Sequence, residues 1–296
     1  MYKAIVINLI KKHIVTNNAA QDSLLNIKRK IIAVLAFFHS SYRYLYSKHT
    51  KNIYHCSIQK TGSHTIKALF KHPIIRKKTK LFTYPGHRYE WTQFHTYFPK
   101  MTFVPALFIS KQHYDEIIKP LKYKTFVIVR DPRDVVVSWY YSMLCTHRMA
   151  GKVPQHRAVL KKLDKEQGIN YAIDELQLKF VFLKSWFISS KYENPDYQIF
   201  YFESMKNDFE GFLKKLTHYC DIELKLTELK IIAEDISQAK MREFDDQRPL
   251  WLKRSVSNEH SHYRKKQTGW DSEFTKENYA YFKKVNGDIL EVLGYK

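Results

Sequence analysis

The sequence predicts an α/β fold with a central parallel sheet flanked by helices, and three observations carry that prediction. From about Lys51 onward, short apolar runs alternate with longer stretches of helical periodicity, the pattern of a layered α/β domain. The run Thr125-Phe126-Val127-Ile128-Val129 has almost no polar interruption, as befits a strand covered on both faces of a parallel sheet. Around residue 60 a strand, a glycine-punctuated loop and a helix follow one another without a gap.

The elements read as follows. Ile53 to Ser57 is a strand, and Ile66, Leu69 and Phe70 share one face of a helix that ends before Pro73. Residues 81–100 are rich in aromatics and contain Pro85-Gly86 and Pro99, so they read as a structured loop. Phe103 to Ile109 is a second strand and Tyr114 to Ile118 a short helix. After the strand 125–129, Asp131 and Pro132 form a helix start, with Asp as N-cap and Pro at the first helical position. The β-branched run Val135-Val136-Val137 leaves a hairpin at Asp131-Pro132 as the alternative.

Residues 146–168 are polar and basic and read as a mobile surface segment. A helix from Tyr171 to Ser189, a strand from Tyr197 to Phe202, and helices at 208–219 and 226–244 come next. An irregular stretch at 245–271 precedes a last helix that Thr275 caps and Gly294 terminates. Residues 1–50 form an N-terminal helical extension to a domain at 51–296. Within it Ile31, Val34, Leu35 and Phe38 give 22–46 the spacing of an amphipathic helix. That helix either docks on the domain or, through Lys28-Arg29-Lys30 and Arg43, lies on a membrane as a peripheral contact.

Composition bounds the function. The 296 residues carry 50 Lys and Arg against 29 Asp and Glu, a formal charge of +21, so the field of the protein attracts anions. The cations are spread along the chain rather than gathered in one run, which argues against a nucleic-acid partner. Cys56, Cys145 and Cys220 are odd in number and widely spaced, so neither a disulfide framework nor a metal site is expected. A reducing, cytoplasmic location is the expectation. The run Ile31 to Phe38 is too short to span a bilayer.

Two loops carry the chemistry. Lys60-Thr61-Gly62-Ser63 between a strand and a helix gathers backbone N–H groups, hydroxyls and the positive end of a helix dipole, a phosphate-binding arrangement. It lacks the two-glycine Gly-Lys-Ser/Thr signature of ATP-binding loops, which disfavours a nucleotide kinase. Arg130 leaves the end of the buried strand and Ser138 lies about two turns into the next helix, so both can face a second anion.

Together these residues resemble the nucleotide-binding motifs of the PAPS-dependent sulfotransferases of the cytosolic and bacterial type. Ser-Ile-Gln-Lys-Thr-Gly-Ser (57–63) is similar to the family's 5′-phosphosulfate loop, and Arg130-Asp-Pro-Arg-Asp-Val-Val-Val-Ser138 matches its 3′-phosphate motif almost residue for residue. Arg264-Lys265-Lys266-Gln-Thr-Gly269-Trp270 is similar to the family's basic loop before the final helix, and Phe200 to Lys206 to its Phe-Tyr-Glu-Asp-Met-Lys strand end. The resemblance spans roughly residues 52–296. It implies a P-loop-like three-layer fold, with PAPS (3′-phosphoadenosine 5′-phosphosulfate) as donor, PAP as product and no metal.

By that resemblance Lys60, Thr61, Gly62, Ser63, His64, Thr65, Arg130, Ser138, Phe202, Arg264, Lys265 and Lys266 bind the nucleotide. Lys60 would also stabilise the leaving phosphate. Gln59, Thr65, Phe202 and Lys266 depart from the family pattern, so adenine is held in some variant way. Lys111-Gln112-His113 resembles the family's Lys-Thr-His, which makes His113 the expected catalytic base and Lys111 its companion at the sulfonate. His87 and His95 are rivals for the base. The acceptor, whether small molecule, lipid or saccharide, is not written in these motifs. A non-catalytic nucleotide, polyanion or membrane binder on the same fold is the alternative from a different class.

Overall fold

The computed structural model describes residues 51–84, 98–147, 149, 151–190, 196–246 and 269–296. The expected extension at 1–50, the amphipathic segment 22–46, and His87, His95, Arg264, Lys265 and Lys266 lie outside these residues.

Five strands, β1 (Asn52–Ser57), β2 (Phe82–Thr83), β3 (Thr102–Leu107), β4 (Tyr123–Val129) and β5 (Tyr197–Tyr201), pair in the order β2-β3-β1-β4-β5. Every pairing is parallel. Side chains alternate across this sheet and feed two cores. Tyr54, Cys56, Val104, Val127 and Val129 enter one, and Ile53, Phe103, Phe126 and Ile128 enter the other.

The second core is closed by α1 (Ser63–Lys71) and α2 (Pro73–Thr79) with α8 (Phe209–Tyr219) and α9 (Leu226–Asp235). The first is closed by α4 (Pro132–Tyr141), α6 (Lys165–Ser190), α11 (Lys276–Asn286) and α12 (Ile289–Leu293). This is the expected parallel sheet between two helical layers. Shorter helices α3 (Lys111–Asp115), α5 (Val153–Leu160), α7 (Phe202–Asn207) and α10 (Gln238–Asp246) link the layers.

Several boundaries differ from the sequence expectation, each for a local reason. Pro73 does not merely stop α1 but opens α2 at its first position, with His72 Nδ1 accepting from Ile74 N at 3.3 Å. The aromatic loop at 81–100 begins with the two-residue strand β2. α3 starts at Lys111 rather than Tyr114 because Ser110 caps it, so His113 is helical.

At Asp131-Pro132 the helix holds and the hairpin does not: Asp131 Oδ1 accepts from Arg133 N at 2.9 Å. Val135, Val136 and Val137 are buried, and packing outweighs their low helix propensity. The helix widens into a π-helical turn at Ser142–Thr146. The segment 146–168, expected to be a mobile surface, contains α5 and the start of α6 instead. Its Arg157 is buried and donates to the carbonyls of Met143 at 2.8 Å and His147 at 2.7 Å, fastening the π turn. The single helix expected at 226–244 is two, because Ser237 re-caps the chain and α10 begins afresh. The final helix is likewise interrupted, at Gly287 with φ 56°.

In β1, His55 is fully buried and stacked on Phe126 at 5.0 Å, and its Nδ1 accepts from Ala106 N at 3.3 Å. Burial pushes its pKa down to about 3. An unfolded histidine takes its proton near 6.5, so the unfolded state binds more protons between that value and about 3, and stability is lost as pH falls through this window. Replacement His55→Phe is expected to flatten that decline in urea unfolding between pH 6.5 and pH 4 (roughly the window above). An unchanged slope would show that other groups dominate it.

Candidate functional site

Parallel pairing places the carboxyl ends of β1, β3, β4 and β5 on one edge. The chain leaves β1 toward β2 and β3, and leaves β4 toward β5 on the other side, so the order reverses between β1 and β4. A crevice outside such a reversal is the usual ligand site of open α/β sheets. Ser57 stands beside Ile128 and Val129 beside Tyr201, so three strand ends are level.

The loop after β1 is tied inward. Thr61 Oγ1 meets Ser57 Oγ and donates to Ile58 O at 2.9 Å, and Ser57 Oγ reaches Ile128 O at 3.2 Å. Lys60 (φ 70°) and Gly62 (φ 85°) both adopt the left-handed conformation, which curls the loop into the N-terminus of α1. The Thr65 amide already turns back to Gly62 O at 2.9 Å, so the amides left without a helical partner at this N-terminus are those ahead of it, at Ser63 and His64. Ser63 Oγ is buried there with no hydrogen-bond partner among the described residues. A buried hydroxyl of this kind is what a bound anion would satisfy.

Arg130 closes the other side. Its Nη1 donates to Lys60 O at 3.0 Å, its Nη2 lies 3.8 Å from Asp134 Oδ2, and its guanidinium covers the Phe202 ring at 4.5 Å. Phe202 stands at the first position of α7 rather than in the strand. It is therefore held between Arg130 and Gly62, and a Cβ on Gly62 would come within 3.1 Å of its ring and 2.5 Å of Met205 Cε. Lys60, Gly62, Arg130 and Phe202 thus form one contact group. Ser138 is half-buried on α4, one turn beyond Asp134 and on its face. His64 and Thr65 lie in the first turn of α1, and Thr65 Oγ1 faces Met241 Sδ at 3.7 Å.

Several supports escaped the sequence reading. Arg133 does not face the crevice. It is buried, pairs with both Asp131 oxygens at 2.7–3.2 Å, and covers the Trp270 ring at 3.8 Å. Trp270 in turn donates its backbone N–H to Asp134 Oδ1 at 2.9 Å and stacks on Tyr279. The residues just after the basic segment 264–268 are therefore moored to α4, beside Arg130. Glu203 accepts from Asp131 N at 3.0 Å and from the Tyr295 hydroxyl at 2.9 Å. Burial and Glu203 together push the Tyr295 hydroxyl pKa up, so it stays protonated and able to donate. The doubled Arg-Asp of the motif was the available signal for this network.

β3, on the far side of β1 from β4, delivers His113 through α3. Ser110 Oγ accepts from His113 N at 3.2 Å and bonds His113 Nδ1 at 2.9 Å, which fixes the orientation of the ring. The ring edge of His113 packs on Phe182 at 6.1 Å. Lys111 is placed differently from expectation. Because α3 starts at Lys111, its ammonium is one turn from Asp115 and contacts both carboxylate oxygens at 2.7 Å. It also faces the ring of Tyr197, the first residue of β5 and so at the opposite edge of the sheet from the loop. Among the described residues no three His, Cys, Asp or Glu side chains gather as metal ligands would, and no helix is long and apolar enough to cross a membrane.

A three-layer α/β domain with a left-handed glycine loop and an arginine at its strand reversal has the layout of the nucleotide-binding α/β folds. The comparisons make it specific. The family model described as "Sulfotransferase domain" matches residues 50–294, and the chain belongs to that family. Sulfotransferase 2A1 of Rattus norvegicus is 26% identical over 192 residues, which is 64% of this chain and 61% of that protein's length. The crystal structure of mouse sulfotransferase SULT7A1 complexed with PAP superposes with a TM-score of 0.53 at 18% identity, covering 81% of this chain and 84% of that one. The shared fold is that of a sulfotransferase.

The crowding at Gly62 is testable without a ligand. Gly62→Ala is expected to destabilise the protein by about 1–3 kcal/mol, since the left-handed backbone disfavours any side chain. In a Met205→Ala background, which removes the Cε contact, the further fall in thermal midpoint caused by Gly62→Ala should shrink but not vanish. No further fall would mean that the backbone conformation costs nothing.

Proposed function

We propose that the chain is a sulfotransferase that moves the sulfonate of PAPS to a hydroxyl of an acceptor, with His113 as the base. The observation that carries this reading is the Arg130 contact with the Lys60 carbonyl, which joins the two anion-binding elements into one rim. Family membership and the PAP held by the mouse relative support it.

The residues present fit such a nucleotide. The buried, unsatisfied Ser63 hydroxyl, the first amides of α1 and the side chains of Lys60, Thr61 and Thr65 suit the 5′ end. Arg130 and Ser138 suit a 3′-phosphate, and the family resemblance adds Arg264, Lys265 and Lys266, which lie outside the described residues. Gly62 lets the backbone approach, and His64 lines the same first turn. Phe202 already carries Arg130 on its ring, so adenine would find only its remaining surface. When bound, PAPS supplies an activated sulfonate and a phosphate leaving group.

The chain's own groups do the rest. Lys60 neutralises charge that accumulates on the leaving oxygen, an electrostatic role suited to a positioned cation. His113 Nε2 takes the proton of the acceptor hydroxyl, and the Ser110 bond to Nδ1 orients the ring for it. Lys111, paired with Asp115, has a structural role in this reading, in place of the sulfonate contact first expected of it.

Calorimetry should show tighter binding of PAP than of ATP–Mg²⁺; the reverse order would overturn the reading. Arg130→Ala is expected to cost on the order of 10- to 100-fold in PAP affinity, about 1.5–3 kcal/mol, and much less for adenosine 5′-monophosphate, which lacks the 3′ group. For His113→Ala, PAP affinity should be retained while PAPS turnover falls by at least about 100-fold. A fully active variant would remove His113 from the mechanism.

A further inference from the structure

Strand β3 is irregular just before it delivers the candidate base. Pro105 interrupts it, and a proline within a sheet belongs where the ladder is broken, because it has no N–H to give. Between the pair Tyr54–Val104 and the pair Cys56–Leu107, β1 has one residue, His55, while β3 has two, Pro105 and Ala106. Ala106 is left-handed at φ 56°, a conformation costly for any residue with a side chain. These are the marks of a β-bulge. The extra residue changes the parity of the strand: Val104 enters the core on the α6 side, and beyond the bulge Leu107 packs against that core and Ile109 enters it. An unbroken alternation would send Ala106 and Phe108 there instead.

A bulged residue drops out of the ladder, and here a side chain takes up its N–H. His55 Nδ1 accepts from Ala106 N at 3.3 Å, while the imidazole is fully buried and stacked on Phe126 at 5.0 Å. An accepting Nδ1 carries no proton, so the neutral ring holds its hydrogen on Nε2. That nitrogen is buried with no hydrogen-bond partner among the described residues. A phenyl ring could make the same stack without this desolvation cost. Packing therefore does not account for an imidazole at this position, and the bond to the bulge does.

We infer that His55 is a positioning residue for His113, acting through the bulge. Beyond Leu107, the Ile109 carbonyl accepts from Trp186 Nε1 at 3.0 Å and the Lys111 amide donates to Ser185 Oγ at 2.8 Å. Both anchors lie on α6, and both need the register that the bulge gives to residues 107–111. Between them Ser110 caps α3 and bonds the His113 ring. Loss of the acceptor at Ala106 lets the bulge relax and shifts the base. The loop after β1 keeps its place, because Ser57 ties it to Ile128 of β4 instead. The role of His113 as base rests on the sulfonate-transfer reading; its placement does not.

The test uses two variants of the full chain. His55→Phe keeps the stack and removes the acceptor, whereas His55→Asn offers Oδ1 near the position of Nδ1 and leaves part of the ring's volume empty. PAP affinity is measured by calorimetry, the His113 imidazole resonance by NMR, and turnover as PAPS consumption with a mixture of phenols, alcohols and saccharides. In His55→Phe the resonance is expected to move and turnover to fall by about 10- to 100-fold, with PAP affinity within about two-fold of the unaltered protein. In His55→Asn both should return most of the way, although its thermal midpoint is the lower of the two variants. Full turnover in His55→Phe, turnover that follows the thermal midpoint, PAP affinity lost in step with turnover, or an unmoved His113 resonance would each overturn the inference. If the unaltered protein sulfonates no acceptor, the sulfonate-transfer reading fails, and the His113 resonance in the two variants still decides the placement.

Discussion

The pairing of β1 with β4 is the constraint on which the site depends. Their register, Asn52 beside Tyr123 through Ser57 beside Ile128, brings two loops that are about seventy residues apart in sequence to the same height at the sheet edge. Ser57 Oγ bonds across to Ile128 O, and Arg130 then reaches back to Lys60 O. A slip of one residue would turn every side chain of β1 to the other face and part the two loops. The cores on both sides of the sheet hold this register, so packing far from the crevice governs the geometry within it.

Around that pairing, cations are managed in two ways. Some are consumed inside the protein: Arg133 by Asp131 and Trp270, Arg157 by the carbonyls of the π turn, Lys111 by Asp115. Others, such as Arg130 and Lys60, belong to a rim whose buried hydroxyl lacks a partner among the described residues. The net charge of +21 does not distinguish these groups. Burial and partners do.

The sheet, most helices and the loops after β1 and β4 were legible because they depend on local signals: apolar runs, an Asp-Pro cap, glycine at a left-handed position. The rest depended on contacts distant in sequence. Nothing near Val153 announces that Arg157 will be buried under Met143 and His147, so a polar segment read as surface proved to be helix and anchor. A three-residue shift in the start of α3 came from one serine cap and redirected Lys111. At the site, Lys60, Gly62, Arg130 and Phe202 converge as the motifs suggested, whereas Arg133, Asp134, Glu203 and Trp270 emerged only from the packing.

The internal contacts of Arg133 and Asp134 bear on how such motifs are read in other sequences. Four of the charged residues in Arg130-Asp-Pro-Arg-Asp134 belong to one stretch, yet two kinds of demand act on it. Asp131, Arg133 and Asp134 cap a helix and moor a tryptophan, so folding alone would keep them in a descendant that had given up its chemistry. Drift at Arg130 or Ser138, with the remainder intact, would be the earlier mark of a chain that has changed its trade.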